Sequence, residues 1–427
     1  MSKKLYIRNR IKYYRKLLNI TQNELSRNTI SVQQIKYLET NKRNLTIKTA
    51  EILIDNFKCI AKEKNIKLEI AVEELMKNSR ELAKDLCKKD LENLSEIDDE
   101  EFISICEEYE VNDILQMYFK SKAEEYEKNL NYEQARTFYL KAMDINVSEE
   151  NTMLHIYIRN KLGRCNYLLG NLTLAMQEYV SCEYMIKESK KKENVELDDL
   201  ISRTYYGIAA IYYVTSENSK SKIYIDKILT LEKPNPLIIV NSKMLLGNIF
   251  YKNNQFNEAE KVFRELEKDK PNDFNIKVSL AVLYRLIGDE ELHLEYLKKL
   301  KGVANNDSSN SNFLIEYLIQ LKNYYIKNDK NKAIKYCNQL VKYSFKYKNL
   351  MSIIRVYKNI VDDFNENLID MTQLEEYLLV LYTNKEVIYN SGYLKNELSN
   401  IFLELVLHRN LNNSCINIIK KLREINI

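Results

Sequence analysis

Glycine and proline are scarce in this chain of 427 residues, which has 7 Gly and 3 Pro where average usage would give roughly 30 and 20. Those residues make hairpins and tight turns, so their scarcity disfavours an all-β architecture or a many-looped α/β enzyme. Neither G-x-x-x-x-G-K nor G-x-G-x-x-G occurs, which removes the common phosphate-cradling loops. Only three histidines are present, His155, His293 and His408. They are isolated, without H-E-x-x-H or a Cys–His constellation, so no catalytic residue, metal ligand or cofactor is expected. The 7 cysteines are scattered, at 59, 87, 106, 165, 182, 337 and 415. Lacking metal-ligand or redox spacing, they read as reduced, mostly buried thiols of a cytoplasmic protein. No apolar run approaches the ~18 residues of a membrane span. The opening MSKKLYIRNR lacks the apolar core of a signal peptide. A non-enzymatic protein with no membrane partner is expected.

What the chain does have is the composition of a long all-α protein: 45% hydrophobic and 30% charged residues, rich in Leu, Ile, Lys, Glu, Asn and Tyr. Its net charge of +4 hides an asymmetry. Residues 1–45 hold eleven Lys/Arg and two acids, Glu24 and Glu39, a balance of +9, so the remainder carries −5. A basic head on a mildly acidic body is the electrostatic footprint of a nucleic-acid-binding domain joined to something else.

Within the head, Ile7, Ile11, Tyr14 and Leu17/Leu18 recur at helical spacing, with Arg8, Arg10, Lys12, Arg15 and Lys16 between them. This predicts an amphipathic first helix with a basic outer face. Thr21 and Glu24 form a capping box that starts a short second helix. Asn28-Thr29 makes a turn, and Ser31 caps a third helix, Val32 to Glu39, whose Ile35 and Leu38 point inward. Asn41-Lys42-Arg43-Asn44 is a basic loop, and Ile47, Ala50, Leu53/Ile54 and Phe57 mark a fourth helix.

The spacing from Ile20 through Arg43 resembles the Xre/phage-repressor helix-turn-helix family, over about residues 5–60. That resemblance implies a third helix lying in the major groove of double-stranded operator DNA, its N-terminal residues at base edges. Mapped by position, Ser31 opens the reading helix and Gln33 and Gln34 read bases, since a Gln amide bonds adenine bidentately. Lys36 and Tyr37 meet base edges or phosphates. Gln22 holds a phosphate and buttresses the reading helix, and Lys42 and Arg43 grip the backbone. The chain departs from the family in one place: Asn28-Thr29-Ile30 replaces the usual Leu-Gly connection and is a residue shorter.

A helical pattern runs on through Leu68–Leu94, and the segment Asp90–Glu101 has seven acids and no base. The domains are accordingly expected at 1–66, 67–104 (a helical linker) and 105–427. The last of these repeats with a period near 34–46 residues. Its best unit is Leu246-Gly247-x2-Phe250-x8-Ala259-x3-Phe263-x2-Leu266-x4-Pro271, and Ala123/Tyr126/Ala135/Tyr139/Ala142 is nearly as good. Further units follow Gly163/Ala175/Tyr179, Ala209/Tyr212/Ser221/Ile225, Ala281/Tyr284/Leu297/Leu300, Leu321/Tyr324/Ala333/Leu340 and Leu403/Val406/Cys415/Ile419/Leu422, with a weak one near 350–385. In the fifth of these seven units His293 occupies a small-residue position. The pattern resembles the tetratricopeptide repeat, in which small residues let paired helices approach and aromatics fill the space between pairs.

The fold class expected is thus all-α, a helix-turn-helix domain followed by a right-handed tetratricopeptide superhelix. First helices of such pairs line a concave groove suited to an extended peptide. The groove positions are Asn160, Arg164, Tyr167, Arg203, Tyr206, Tyr213, Asn241, Met244, Asn248, Tyr251, Arg285, Lys322 and Tyr325. Asn amides can pair both N–H and C=O of a peptide backbone, while aromatic and Met side chains offer apolar pockets.

The combination resembles the RRNPP family of cytoplasmic peptide-pheromone receptors (the Rgg, NprR, PlcR and PrgX type). The resemblance implies a homodimeric quorum-sensing transcription regulator, switched by a short signalling peptide and controlling programmes such as sporulation or virulence. The competing class is a protein–protein scaffold, or a response-regulator-binding protein, without a peptide ligand.

Overall fold

The computed structural model describes residues 3–145, 152–188, 195–306, 311–346, 350–385, 392–408 and 411–424, without the side chains at 4, 5, 8, 96, 195, 196, 302–306, 311–313, 350–352, 392–396 and 408. Among the described residues all regular structure is helical. The chain divides into two compact units, residues 1–162 and 163–427.

In the first unit the single opening helix expected from the periodicity is two, α1 (Lys3–Arg8) and α2 (Arg10–Leu17). Asn9 breaks it: extended at φ −158°, its side chain accepts the Lys12 N–H and caps α2. The other local signals act as read. Thr21 and Glu24 close a reciprocal capping box on α3 (Gln22–Ser26), and Ser31 accepts the Gln34 N–H at the start of α4 (Val32–Glu39). Thr46 caps α5 (Ile47–Glu63). Their apolar faces share one core of Ile11, Tyr14, Leu25, Ile35, Leu38, Leu53 and Phe57, which Ile70 and Leu75 also join.

The continuous helix expected over 68–94 does not form. It is replaced by α6 (Val72–Met76), α7 (Ser79–Asp90) and a 3-10 turn at Leu91–Glu96. Asn78 is the cause, an extended residue whose side chain caps α7 through the Glu81 N–H. The acidic run places Asp99, Glu100 and Glu101 in the first turn of α8 (Asp99–Glu108), where the helix dipole favours them. The first repeat pair, α9 (Asn112–Lys128) and α10 (Tyr132–Asp144), closes on Ala123, Ala135, Tyr139 and Ala142, all fully buried. Then comes α11 (Thr152–Leu168), within which the second unit begins.

The second unit continues through α12 (Leu172–Glu188), α13 (Val195–Val214), α14 (Asn218–Leu229), α15 (Pro236–Lys252), α16 (Phe256–Asp269), α17 (Phe274–Ile287) and α18 (Glu290–Asn306). Its later helices are α19 (Ser311–Asn328), α20 (Lys330–Lys346), α21 (Leu350–Asn365), α22 (Met371–Thr383), α23 (Gly392–His408) and α24 (Asn413–Glu424). Small residues sit beneath rings, as the repeat pattern requires. The Tyr179 ring lies against both Gly163 and Gly207, and Phe263 against Gly247. A Cβ on Gly207 would come within 2.3 Å of Tyr179 Cζ, and one on Gly247 within 2.4 Å of Phe263 Cε1. Where a polar residue takes the small position it bonds the carbonyl of the anchor twelve residues earlier. Ser221 Oγ donates to Ala209 O at 2.8 Å, and His293 Nδ1 lies 2.8 Å from Ala281 O.

One expectation for the later repeats is overturned. Leu403 and Val406, aligned as inward anchors, are exposed, while Phe402 and Leu405 are buried. The first helix of the last unit is therefore out of phase by one residue, because an almost all-apolar stretch leaves the helical phase undetermined by pattern alone, while Cys415, Ile419 and Leu422 are buried as aligned. Near 350–385, where the pattern is weak, α21 packs on α23 and α22 on α24 rather than chiefly on each other, and Ile353, Tyr357, Ile360, Leu374 and Leu378 join one core shared by the later helices.

Candidate functional site

In the helix-turn-helix the reading face is set by a buried polar knot. Glu39, at the end of α4, accepts two bonds from the Arg15 guanidinium: Nε to Oε1 at 2.6 Å and Nη2 to Oε2 at 3.0 Å. Gln22 Nε2 donates to the same Oε2 at 2.9 Å. Arg15 also holds the Ile20 carbonyl at 2.9 Å, so α2, α3 and α4 are pinned together by one carboxylate. Gln22 thus ties the start of α3 to the end of α4. Arg15, expected on the basic outer face, is turned inward, its side chain only 16% exposed.

The short connection between α3 and α4 needs no glycine. Arg27 and Asn28 both take left-handed backbone, at φ 44° and 59°, and the buried amide of Asn56 on α5 clamps the turn. Asn56 Nδ2 donates to Leu25 O at 2.8 Å and to Thr29 Oγ1 at 2.8 Å. Neither Asn56 nor Glu39 stands out in the sequence as a positioning residue. The available signals were one Asn on an otherwise apolar helical face and one acid in a basic domain.

This framework leaves Ser31, Gln33, Lys36, Tyr37, Lys42 and Arg43 exposed and Gln34 half-buried. Among the described residues, Lys12, Lys16, Lys36, Lys42, Arg43 and Lys48 form no ion pair. The head therefore presents uncompensated positive charge on both sides of α4, flanking two amides at its N-terminal turn.

In the second unit, Tyr167 of α11, Tyr206 and Tyr213 of α13, and Asn241, Met244, Asn248 and Tyr251 of α15 are all half-buried. Tyr206 and Tyr213 pack on the cluster of Ala209, Ile225, Leu245 and Ile249, while Met244 and Tyr251 pack on the next cluster along. Burial raises the phenol pKa of Tyr206 to about 12 and also raises those of Tyr167 and Tyr213. These hydroxyls stay protonated donors at any physiological pH. Among the described residues, no protein group bonds the side-chain amides of Asn241 and Asn248. Arg164 and Arg285 are exposed, and Arg203 is paired with Asp199 at 2.7 Å.

Two residues expected in the groove are buried. Asn160 is 5% exposed and belongs to the first unit. Lys322 is buried, its ammonium 2.6 Å from Asp363 on α21 with side-chain exposures of 2% and 3%. A carboxylate forty-one residues further on lets that lysine leave the surface, and no local pattern announces it. Among the described residues no cluster of His, Cys, Asp and Glu is placed to hold a metal ion, and no helix is long and apolar enough to cross a membrane.

The helix-turn-helix family model matches residues 11–59. No curated protein matches the chain. Among solved structures, the Rap conjugation gene regulator of plasmid pLS20, in complex with the Phr* peptide, is similar over 94% of this chain and 98% of its own, at 14% identity and a TM-score of 0.50. A Rap protein complexed with competence and sporulation factor aligns over 100% of this chain and 98% of its own at 13% identity, TM-score 0.37. A tetratricopeptide repeat protein from Parabacteroides merdae aligns over 73% of this chain and 98% of its own at 13% identity, TM-score 0.38. The repeat-fold likeness rests on the first of these three. The chain thus carries a helix-turn-helix match at its N-terminus and is similar in fold to a Rap protein.

Proposed function

We propose that this protein is a non-enzymatic, cytoplasmic transcription regulator of the quorum-sensing kind. It binds double-stranded operator DNA as a homodimer through α4 and is switched by a short signalling peptide held against the first helices of its repeats. The observation that carries the reading is the unpaired positive charge around an exposed Gln33 and half-buried Gln34, on a helix locked in place by Glu39. Phosphate contacts from Lys36, Lys42 and Arg43 position the domain, and the two amides discriminate bases. The domain boundaries we propose are 1–66 for the DNA reader, 67–104 for a linker, and 105–427 for peptide binding and dimerisation. The peptide-binding residues are Tyr167, Tyr206, Asn241, Met244, Asn248, Tyr251 and Arg285, with Arg164 and Arg203 beside them. A peptide moves the DNA-binding equilibrium only as far as its affinities for the two states differ.

The test is a gel shift against genomic fragments, first to recover an operator and then to compare it with scrambled DNA. Gln34→Ala should remove roughly 1–3 kcal/mol of discrimination at one base pair while non-specific binding persists. If Gln33→Ala and Gln34→Ala together leave operator preference unchanged, α4 does not read bases. A chain that shifts no fragment at all is a scaffold.

A further inference from the structure

The segment after α5, expected to begin a helical linker, folds back onto the DNA-reading head. Leu75 joins the head's core, Ser79 Oγ donates to Ile7 O at 2.9 Å, and the Lys3 ammonium lies 2.7 Å from Asp90. The Arg10 guanidinium donates to Leu75 O at 3.2 Å and also to Lys77 O. Docked at these points, the segment leaves a cavity of about 410 Å³ between the loop after α4 and the α6–α7 junction. That volume lies within the roughly 300–1,000 Å³ of small-molecule sites.

One part of the lining is polar and positive: Arg10, Arg43 and Lys77 with the amides of Asn41, Asn44 and Asn78. Among the described residues, no Asp or Glu lines the cavity. Lys77 pairs with Asp85, which stands outside the lining. Glu74, the acid beside Arg10, is occupied by the hydroxyls of Tyr6 and Tyr14. Among the described residues, the Arg43 guanidinium and the amides of Asn41 and Asn44 have no protein partner. Asn78 uses its Oδ1, which accepts the Glu81 N–H, and its amide N–H donors stay unbonded. The starts of α2 and α7 both border the cavity, so two helix dipoles add positive potential. The rest of the lining is apolar and includes Ile11, Leu45 and Met76.

We propose that this cavity binds a small phosphorylated organic molecule, with Arg43 and the Asn41, Asn44 and Asn78 amides on the phosphate and the apolar wall against the organic body. A phosphate monoester carries roughly −1.5 to −2 charge at neutral pH and three strong acceptor oxygens. That suits several unbonded donors gathered around a guanidinium, whose planar fork meets phosphate in two bonds at once. The site is separate from the repeat groove and does not depend on a peptide. If Arg43 also grips the DNA backbone, the bound molecule takes it from the DNA and lowers affinity for it. That consequence alone rests on the DNA-binding reading given above.

Titration calorimetry on the full chain tests it, with adenosine monophosphate and glucose 6-phosphate as probes and adenosine and glucose as their uncharged counterparts. At least one phosphorylated probe should bind saturably, about tenfold or more tighter than its counterpart, as charge-assisted bonds imply. Arg43→Ala should melt where the native chain does, since the side chain is exposed, and should weaken that binding about tenfold. Asn44→Trp, which puts a ring at the cavity wall, should abolish it. Lys48→Ala removes an exposed cation of the same head that does not line the cavity, and should change nothing. Neither phosphorylated probe binding at millimolar concentration overturns the site, as does equal binding of a probe and its counterpart. Equal weakening by Lys48→Ala and Arg43→Ala also overturns it, since the head then attracts anions diffusely. Binding that survives Asn44→Trp places the molecule elsewhere. No DNA enters the titration, so its failure leaves the DNA-binding reading standing, and a failed gel shift leaves the cavity site standing.

Discussion

The helix-turn-helix and the repeats use small residues in opposite ways. Between α2 and α5 the chain turns four times into left-handed backbone, at Asn19, Arg27, Asn28 and Asn41, and never with glycine. In the repeats, Gly163, Gly207 and Gly247 stand inside helices, where glycine costs about 1 kcal/mol relative to alanine. Asn tolerates positive φ because its short polar side chain bonds locally, so turns can be made without glycine. No side chain at all fits beneath the Tyr179 or Phe263 ring. A chain with so few glycines therefore keeps three of them where the constraint is a distance between helices rather than a backbone angle. Backbone turns in the reader are specified locally, while helix spacing in the repeats is specified over a distance.

The largest effect follows from that distance. Gly207→Ala drives a methyl into the Tyr179 ring from one side while Gly163 already abuts it, leaving the ring nowhere to move. The loss of stability should reach ~3 kcal/mol or more, the upper part of the range for overpacked cores. Thermal unfolding measures it. Adding Tyr179→Leu should cost less than the two single losses summed, since the leucine removes the ring that the new methyl strikes. An additive pair would mean that the ring-on-glycine contact is not what sets the helix spacing.

The reader should be broken through a polar contact instead. Glu39→Ala leaves the mostly buried Arg15 guanidinium and the Gln22 amide without their shared acceptor. Removing one partner of a buried pair costs ~3–5 kcal/mol, and since water reaches part of Arg15 about 2–3 kcal/mol is expected. Chemical denaturation of the full chain should show the loss in the N-terminal transition, with the repeat transition unmoved. Glu39→Gln keeps one acceptor oxygen and should restore part of it. A Glu39→Ala chain of native stability would show that the caps alone orient α4.

What the sequence makes legible follows the same division. Capping boxes and N-caps are written in neighbouring residues, so Thr21, Glu24 and Ser31 can be read directly and are found doing what they were read to do. The repeat anchors are visible where small and aromatic residues alternate, as at Gly247, Ala259 and Phe263. They fail at Leu403 and Val406, where apolar residues on every side hide the phase. Hidden too are contacts between distant polar residues: Lys322 with Asp363, Glu39 with Arg15, and Asn56 with the α3–α4 turn. Each side chain alone reads as a surface residue. Only the fold shows that it is satisfied inside.

The smallest effect separates positioning from reading in the DNA-binding head. Arg43 lies in the loop after α4, exposed and, among the described residues, without an ion pair. Its change to alanine removes no packing and should leave the melting temperature where it was. If it contacts one phosphate, neutralising it takes about 0.9 from the slope of log affinity against log salt, and affinity should fall alike for operator and scrambled DNA. Binding titrations at several salt concentrations on both DNAs give both quantities. A fall confined to the operator would move Arg43 from the backbone to a base edge. An unchanged slope would take it off the DNA, leaving Lys36 and Lys42 to hold the register.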